Sequence, residues 1–577
     1  MIRKITALVL VLSILLTTAC SEKPFSVYDT PKKFNDPFLS ETKDMDFSDL
    51  KITDIDENDT ISSINRMKEL SQKENSLEEL KALYKKNYSD INLIETNYTI
   101  SMIRYDIDTQ NSSLSEANLK YEQIYNNVST LYEEALRTVL SSRYGEEMKK
   151  YIGDDVANSV DTREIDTEQL NDLANQEAQL TNEYMKLIAT PTTVTVDGEH
   201  WDENKLYEHM DELDEDKYLE IYLEIDKAVN EKAVKIYISL IETRKKLAKL
   251  FGYDNPGEFY YKEVFHRDYS PEEAQLFHKN VKEHIAPIYN SIPTIIHDAV
   301  IETKDVLPTI SEILPLISPE VSDIFNEMVE KDLCILTDDM AKSYDGGYTT
   351  FISTYRHPVI YNATYGNYRS ITDTVHEFGH YCDYYLNCTN SPCHSESNFD
   401  IAEVPSMGLE VLFYDYYDRM FENCNDEKAH FLRFFLGSVV DGCYMDEAQQ
   451  KIYNYEGELT ADVVNDIFAR TAEEYGMTDD IKRYTWVYVT HNFLNPFYYI
   501  SYAASSIASL EIWMTAQTES KEKAVETYLR ILSYGSFEYG YNESIRMNGL
   551  KGFTDYDTLK KIGESVKNEI DILTQTE

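Results

Sequence analysis

The stretch "TDTVHEFGHYCDYY", residues 372–385, decides how this chain is read. His376 and His380 stand four apart, with Glu377 beside the first. Residues four apart on a helix share a face, so two imidazole nitrogens can meet one ion. Glu377 is then placed to reach a water held by that ion. The alternative is a buried helix with two hydrogen-bonded histidines. With 12 histidines in 577 residues, an accidental pattern of this kind is roughly a few per cent likely, so its surroundings must decide.

Catalytic zinc takes three protein ligands and leaves a position for water. A third ligand is expected from a following element. "NFDIAEVPSMGLEVLF", 398–413, offers Glu403, far enough beyond His380 for the helix to finish and the chain to return. Glu410 lies two helical turns further on the same face, where a carboxylate could hold a ligand histidine in one tautomer. The apolar neighbours Ile401, Val404, Leu409, Val411, Leu412 and Phe413 argue against a surface helix. Pro405 fits only near a helix start or at a distortion.

Working outward, residues 346–366, "GGYTTFISTYRHPVIYNATYG", are β-rich and stand directly before the motif. "PTTVTVDGEHW", 191–201, reads as a strand and tight turn at Asp197–Gly198. Nearly everything else has helical spacing: about 56–185, 203–250, 270–342 and 399–575. No internal repeat and no strict heptad is present. The fold class expected is mainly α, with a small β-sheet next to the HExxH helix. Apolar residues are 42% of the chain, enough for a large core. Lys and Arg number 54 against 103 Asp and Glu, a net charge of −49. That excludes nucleic acid as a partner, since phosphates require a basic stripe.

"HEFGHYCDYY" followed by "AEVPSMGLE" resembles the thimet oligopeptidase and oligoendopeptidase F family of zinc peptidases, closest to the oligoendopeptidase F branch. "THNFLNPFYYISYAA", 490–504, is similar to the family segment whose histidine and tyrosines face the metal. The β-rich stretch resembles the family's substrate-pairing strand, and "ILSYGSFEYGYNESIRMNGLKGF", 531–553, its C-terminal helices. The resemblance covers roughly 200–575. It implies a large two-lobed helical fold with a deep channel, and one zinc per chain held by His376, His380 and Glu403. It implies Glu377 as the base, with His491, Tyr499 and Tyr502 assisting at the oxyanion; Tyr498 enters if the register shifts by one. An extended peptide would lie against an edge strand near Pro358–Ala363, with His357 and Tyr348 as further candidates to line the site. Internal cleavage of short unstructured peptides is expected. A carboxypeptidase or dipeptidyl-carboxypeptidase on a related fold, or a catalytically silent peptide-binding lipoprotein, are the alternatives.

The chain opens "MIRKITALVLVLSILLTTACSEK". Arg3 and Lys4 precede an apolar run too short for a comfortable membrane span, which ends in small residues and Cys20. This resembles a bacterial lipoprotein signal, residues 1–19, with Cys20 lipidated and residues 20–46 a polar tether; the alternative is a plain secretory signal cleaved nearby, which also exports the chain. Residues 47–200 would form an N-terminal helical region and 201–577 the catalytic region. The location implied is the outer face of a bacterial cytoplasmic membrane. An exported chain permits disulfides, and Cys388 and Cys393 could close the loop between them. A zinc site on that loop with His394 is the weaker reading.

Overall fold

The computed structural model describes residues 26–28, 38 and 45–575, apart from 161, 164, 295–298, 389–397, 478–481 and 537–538. Cys20, Cys393 and His394 therefore lie outside the described residues. Cys388 is disulfide-bonded, while Cys334, Cys382, Cys424 and Cys443 are free thiols.

Three long helices come first: α1 (Glu57–Ser71), α2 (Leu77–Ile107) and α3 (Ser112–Leu140). Side chains of Asp56 and Asn111 accept from the free amides at the starts of α1 and α3. The three bury Ile64, Met67, Leu80, Tyr84, Val128 and Val139 in a core of their own. A second, larger core takes in the end of α2 (Ile100, Ile103) and the rest of the protein. The smaller core ends near residue 160. Beyond it, α4 (Thr167–Ile188) joins the larger core, where its Tyr184 stacks on Phe493 with ring centroids 3.7 Å apart.

Strands β1 (Val194–Val196) and β2 (Glu199–Trp201) pair through the expected tight turn, with Asp197 and Gly198 both at positive φ. Helix α5 (Glu215–Leu250) follows, and then a three-stranded sheet: β3 (Cys334–Thr337), β4 (Gly347–Ile352) and β5 (His357–Ala363). Its order is β3-β5-β4, with β3 parallel and β4 antiparallel to β5.

Two expectations are corrected here. Cys334–Thr337, read as the end of a helical stretch, is a strand; four residues carry too little alternation to separate the two. The segment at Pro358–Ala363 is not an edge strand. It is the middle strand, buried at every position, because its ladder is used on both sides. The outer strand beside the metal-motif helix is β4, which is partly exposed.

That helix, α6 (Arg369–Asn387), follows the sheet as expected. Then come α7 (Phe399–Ala402), α8 (Val404–Phe413), α9 (Cys424–Tyr453), α10 (Thr490–Leu494) and α11 (Ile500–Thr518). Among the described residues no helix is long and apolar enough to cross a membrane.

Candidate metal centre

Helix α6 is buried on most sides, and its open residues Arg369, Asp373, His376, His380 and Tyr384 recur at helical spacing along one stripe. On the buried side sits Gly379. A Cβ built there would lie 2.4 Å from both Pro405 O and Ser406 Cα. Only glycine allows this approach of α8 to α6. Pro405 stands in the first turn of α8, where its missing N–H leaves nothing unpaired.

This contact carries Glu403, the residue before α8, onto the two histidines. Its Oε2 lies 3.2 Å from Nε2 of His376 and 3.2 Å from Nε2 of His380. Candidate ligand atoms of the three residues all lie within 4.8 Å of one another. His376 Nδ1 is 2.7 Å from Glu410 Oε1. A proton on Nδ1 given to Glu410 leaves the Nε2 lone pair pointing at the cluster. Two nitrogens and one carboxylate oxygen, converging with a supported tautomer, fit zinc.

The electrostatics agree. Burial disfavours a charged His376, but Glu403 and Glu410 outweigh it and raise its pKa well above the usual value. His380 is raised in the same way, chiefly by Glu403. Burial would raise the Glu403 carboxyl, yet the histidines hold it well below the usual range. The cluster favours positive charge at its centre.

Glu377 is fixed beside it. Thr349 Oγ1, on β4, lies 2.8 Å from Glu377 Oε2 and 2.8 Å from its backbone oxygen. Gly347 on the same strand leaves room, since a Cβ there would stand 2.4 Å from Asn362 Oδ1 and 3.5 Å from Glu377 Oε1.

His491 is in α10. Beyond it the chain turns through Phe497 at φ 66° before α11 begins. His491 stacks on Tyr498 with ring centroids 5.0 Å apart and an interplanar angle of 18°. Tyr499 and Tyr502 lie at 5.3 and 6.0 Å from the same ring. Burial lowers the pKa of His491, which keeps it neutral. Burial and then the Glu403 charge push the Tyr502 hydroxyl up to about 12. Burial raises Tyr498 too, with the charges of Tyr502 and Glu403 adding to it. Tyr499 is raised by burial and by Asp441 instead. The Glu403 charge thus bears on Tyr498 and Tyr502, while the expected Tyr499 packs against His491 and Tyr502 in the same group of rings. Residues 498 and 499 precede the helix, so helical spacing does not relate them to Tyr502.

Two groups absent from the sequence reading hold this arrangement. Arg267 Nε lies 3.2 Å from both carboxylate oxygens of Asp400, in α7. Its second nitrogen donates to Phe497 O and to Ser501 Oγ, each at 2.9 Å, and Ser501 donates to Asp400 at 2.5 Å. Both charged ends are buried. The pair ties the segment leading to Glu403 to the segment carrying the tyrosines. Arg244, also fully buried, donates to the Phe493 carbonyl behind His491. No motif spacing signals either arginine. Tyr348 donates to Asp106 Oδ2 at 2.6 Å and His357 is buried in β5, so both serve the sheet rather than the metal cluster.

Residues 47–164 match the Peptidase M3 N-terminal domain. The fold as a whole is similar to "PZ peptidase A with inhibitor 2", with a TM-score of 0.71 at 21% identity, over 91% of this chain and 99% of that one. It is also similar to a Bacillus anthracis strain Ames protein described as an oligoendopeptidase F, with a TM-score of 0.68 at 21% identity, over 93% and 99% of the two chains. Oligoendopeptidase-F from Enterococcus faecium matches with a TM-score of 0.55 at 14% identity, over 90% and 98%. No curated protein matches the chain by sequence. At these identities the structural likeness shows the fold.

Proposed function

We propose, from the premise that this chain is a metallopeptidase of the M3 type, that it is a zinc endo-oligopeptidase acting on short unstructured peptides. The observation that carries the proposal is the convergence of His376, His380 and Glu403 beside a glutamate held by Thr349. Zinc bound there would supply a Lewis acid that acidifies water and polarises the scissile carbonyl.

The chain's own groups do the rest. An extended peptide adds to the outer edge of β4 and is held through its backbone. Glu377, anchored on that strand, takes the proton of the attacking water and passes it to the leaving nitrogen. Tyr498 and Tyr502 remain protonated at neutral pH and donate to the carbonyl oxygen as negative charge develops. Neutral His491 fixes the Tyr498 ring by stacking.

A cavity of about 1100 Å³ separates the N-terminal helices (Tyr84, Glu95, Tyr125) from the catalytic side (Phe259, His266, Asn398). Asn398 caps α7, the element that leads to Glu403. Such a space supports entry of extended chains and exclusion of folded ones. At about 3.3 Å per residue, peptides of roughly 5 to 20 residues suit it. The charged, apolar and small-residue order of residues 1–20 supports export and anchoring through a lipidated Cys20 at the outer face of a bacterial membrane.

Glu377→Gln tests the chemistry apart from metal binding. It should retain one zinc per chain while cleavage falls by about 10²–10⁴. Cleavage near the wild-type rate would contradict the assignment.

A further inference from the structure

Strand β4 lies between two helices, and its side chains alternate between them. Gly347, Thr349 and Phe351 turn to α6. Thr349 bonds Glu377, a Cβ on Gly347 would stand 3.5 Å from Glu377 Oε1, and Phe351 stacks on Tyr384 with ring centroids 6.1 Å apart. Tyr348 turns the other way, to the end of α2, where its hydroxyl donates to Asp106 Oδ2 at 2.6 Å. The backbone oxygen of Asp106 accepts from the Tyr361 hydroxyl at 3.0 Å and from the Tyr344 amide at 2.8 Å. Tyr348 and Tyr361 are partners across β4 and β5, and their rings stack at 5.3 Å. One residue of α2 thus fastens both strands on the face opposite Glu377.

The turn after β4 is fastened to the same helix. Ser353 Oγ donates to Glu95 Oε2 at 2.6 Å, and the Thr354 amide donates to Thr96 Oγ1 at 3.0 Å. So α2 grips β4 near its start and just past its end. Thr349 is the next residue after Tyr348, and any shift of Tyr348 carries Thr349 Oγ1 with it. A catalytic group must be held to about 0.5 Å. Asp106 is buried, so losing the Tyr348 hydroxyl would leave a carboxylate oxygen without its donor, which the strand can relieve only by moving. We propose that Asp106 and Tyr348 are positioning residues for Glu377: the aim of the base is set from the N-terminal helix α2, through β4, as well as from its own helix. The inference deepens the peptidase reading and rests on it.

The test is a cycle of Tyr348→Phe and Glu377→Gln, with zinc content measured in every variant. Tyr348→Phe keeps the stacked ring and removes one hydroxyl. Acting through Glu377, it should lower kcat about tenfold in the wild type but less than about twofold in the Glu377→Gln background, with one zinc per chain throughout. Asp106→Leu should do the same, and it runs the cycle should Tyr348→Phe not fold. Asp106→Asn, whose amide oxygen still accepts from Tyr348, should recover most of the loss. Crystal structures of the zinc-loaded wild type and of the variant read the position without catalysis, and the bond between Thr349 and Glu377 should be lengthened or lost in the variant. Equal losses in both backgrounds, or a Glu377 that stands in the same place in both structures, overturns the proposal. A displaced Glu377 in a protein whose wild type cleaves no peptide supports the positioning and overturns the peptidase reading instead.

Discussion

Gly379 sets the distance between the two histidines and their third partner. Gly379→Ala places a methyl 2.4 Å from Pro405 O and Ser406 Cα, backbone atoms that cannot rotate away. Helix α8 must shift, and Glu403 shifts with it. We expect a stability loss of about 1–3 kcal/mol and weaker zinc binding, read by thermal unfolding and zinc titration; unchanged zinc affinity would contradict the role given to this contact. The tyrosines give a second test at this scale. Tyr498→Phe and Tyr502→Phe should each lower kcat by about 10²–10³, the scale of one oxyanion donor. Tyr499→Phe, whose hydroxyl is raised by burial and Asp441 rather than by Glu403, should act closer to wild type. The reverse ranking would favour Tyr499, the residue that the resemblance implies. His376, His380, Glu403 and Glu410 were legible because each pair obeys helical spacing. The choice among Tyr498, Tyr499 and Tyr502 was not, because the chain passes Phe497 at positive φ in a turn that helical spacing does not describe. Gly379 carries no spacing signal at all, and its meaning depends on a backbone that approaches from 26 residues later.

Elements that hold the site come from distant parts of the chain. The sheet was visible as a β-rich stretch before α6, but its strand order was not. Pairing of β3 with β5 is long-range, and four residues of β3 offer no pattern of their own. So the strand that offers an edge beside the metal helix is β4, and Thr349 on it holds Glu377. The buried Arg267–Asp400 pair joins α7 to the turn before α11 across 133 residues of sequence. Arg267→Met leaves the Asp400 carboxylate buried without its cation. This should destabilise the protein by about 3–5 kcal/mol, with kcat reduced in the fraction that folds and zinc still bound. Adding Asp400→Asn should recover part of the lost stability. A single variant as stable as wild type would show that the pair does not hold the two segments.

At the scale of the whole molecule, the helical spacing was enough to read the fold class. The division into two cores did not follow from the sequence. Helix α4 has the same amphipathic pattern as its N-terminal neighbours, and its packing assigns it to the larger core: Tyr184 stacks on Phe493, and Leu180, Leu187 and Ile188 lie against that core. The cavity between the cores and the residue cluster beside β4 support the proposal that extended chains are admitted and cut internally. Its central claim is that one metal at His376, His380 and Glu403 makes peptide cleavage depend on zinc. The direct measurement is to strip the protein with a chelator, return zinc in sub-stoichiometric steps, and sequence the products from a pool of unstructured peptides beside a folded protein. The account predicts that helical content survives stripping, that cleavage disappears, and that it returns in proportion to zinc up to one per chain, with internal cuts in the peptides and none in the folded protein. Undiminished cleavage by the stripped protein, or no cleavage at full zinc occupancy, would contradict it.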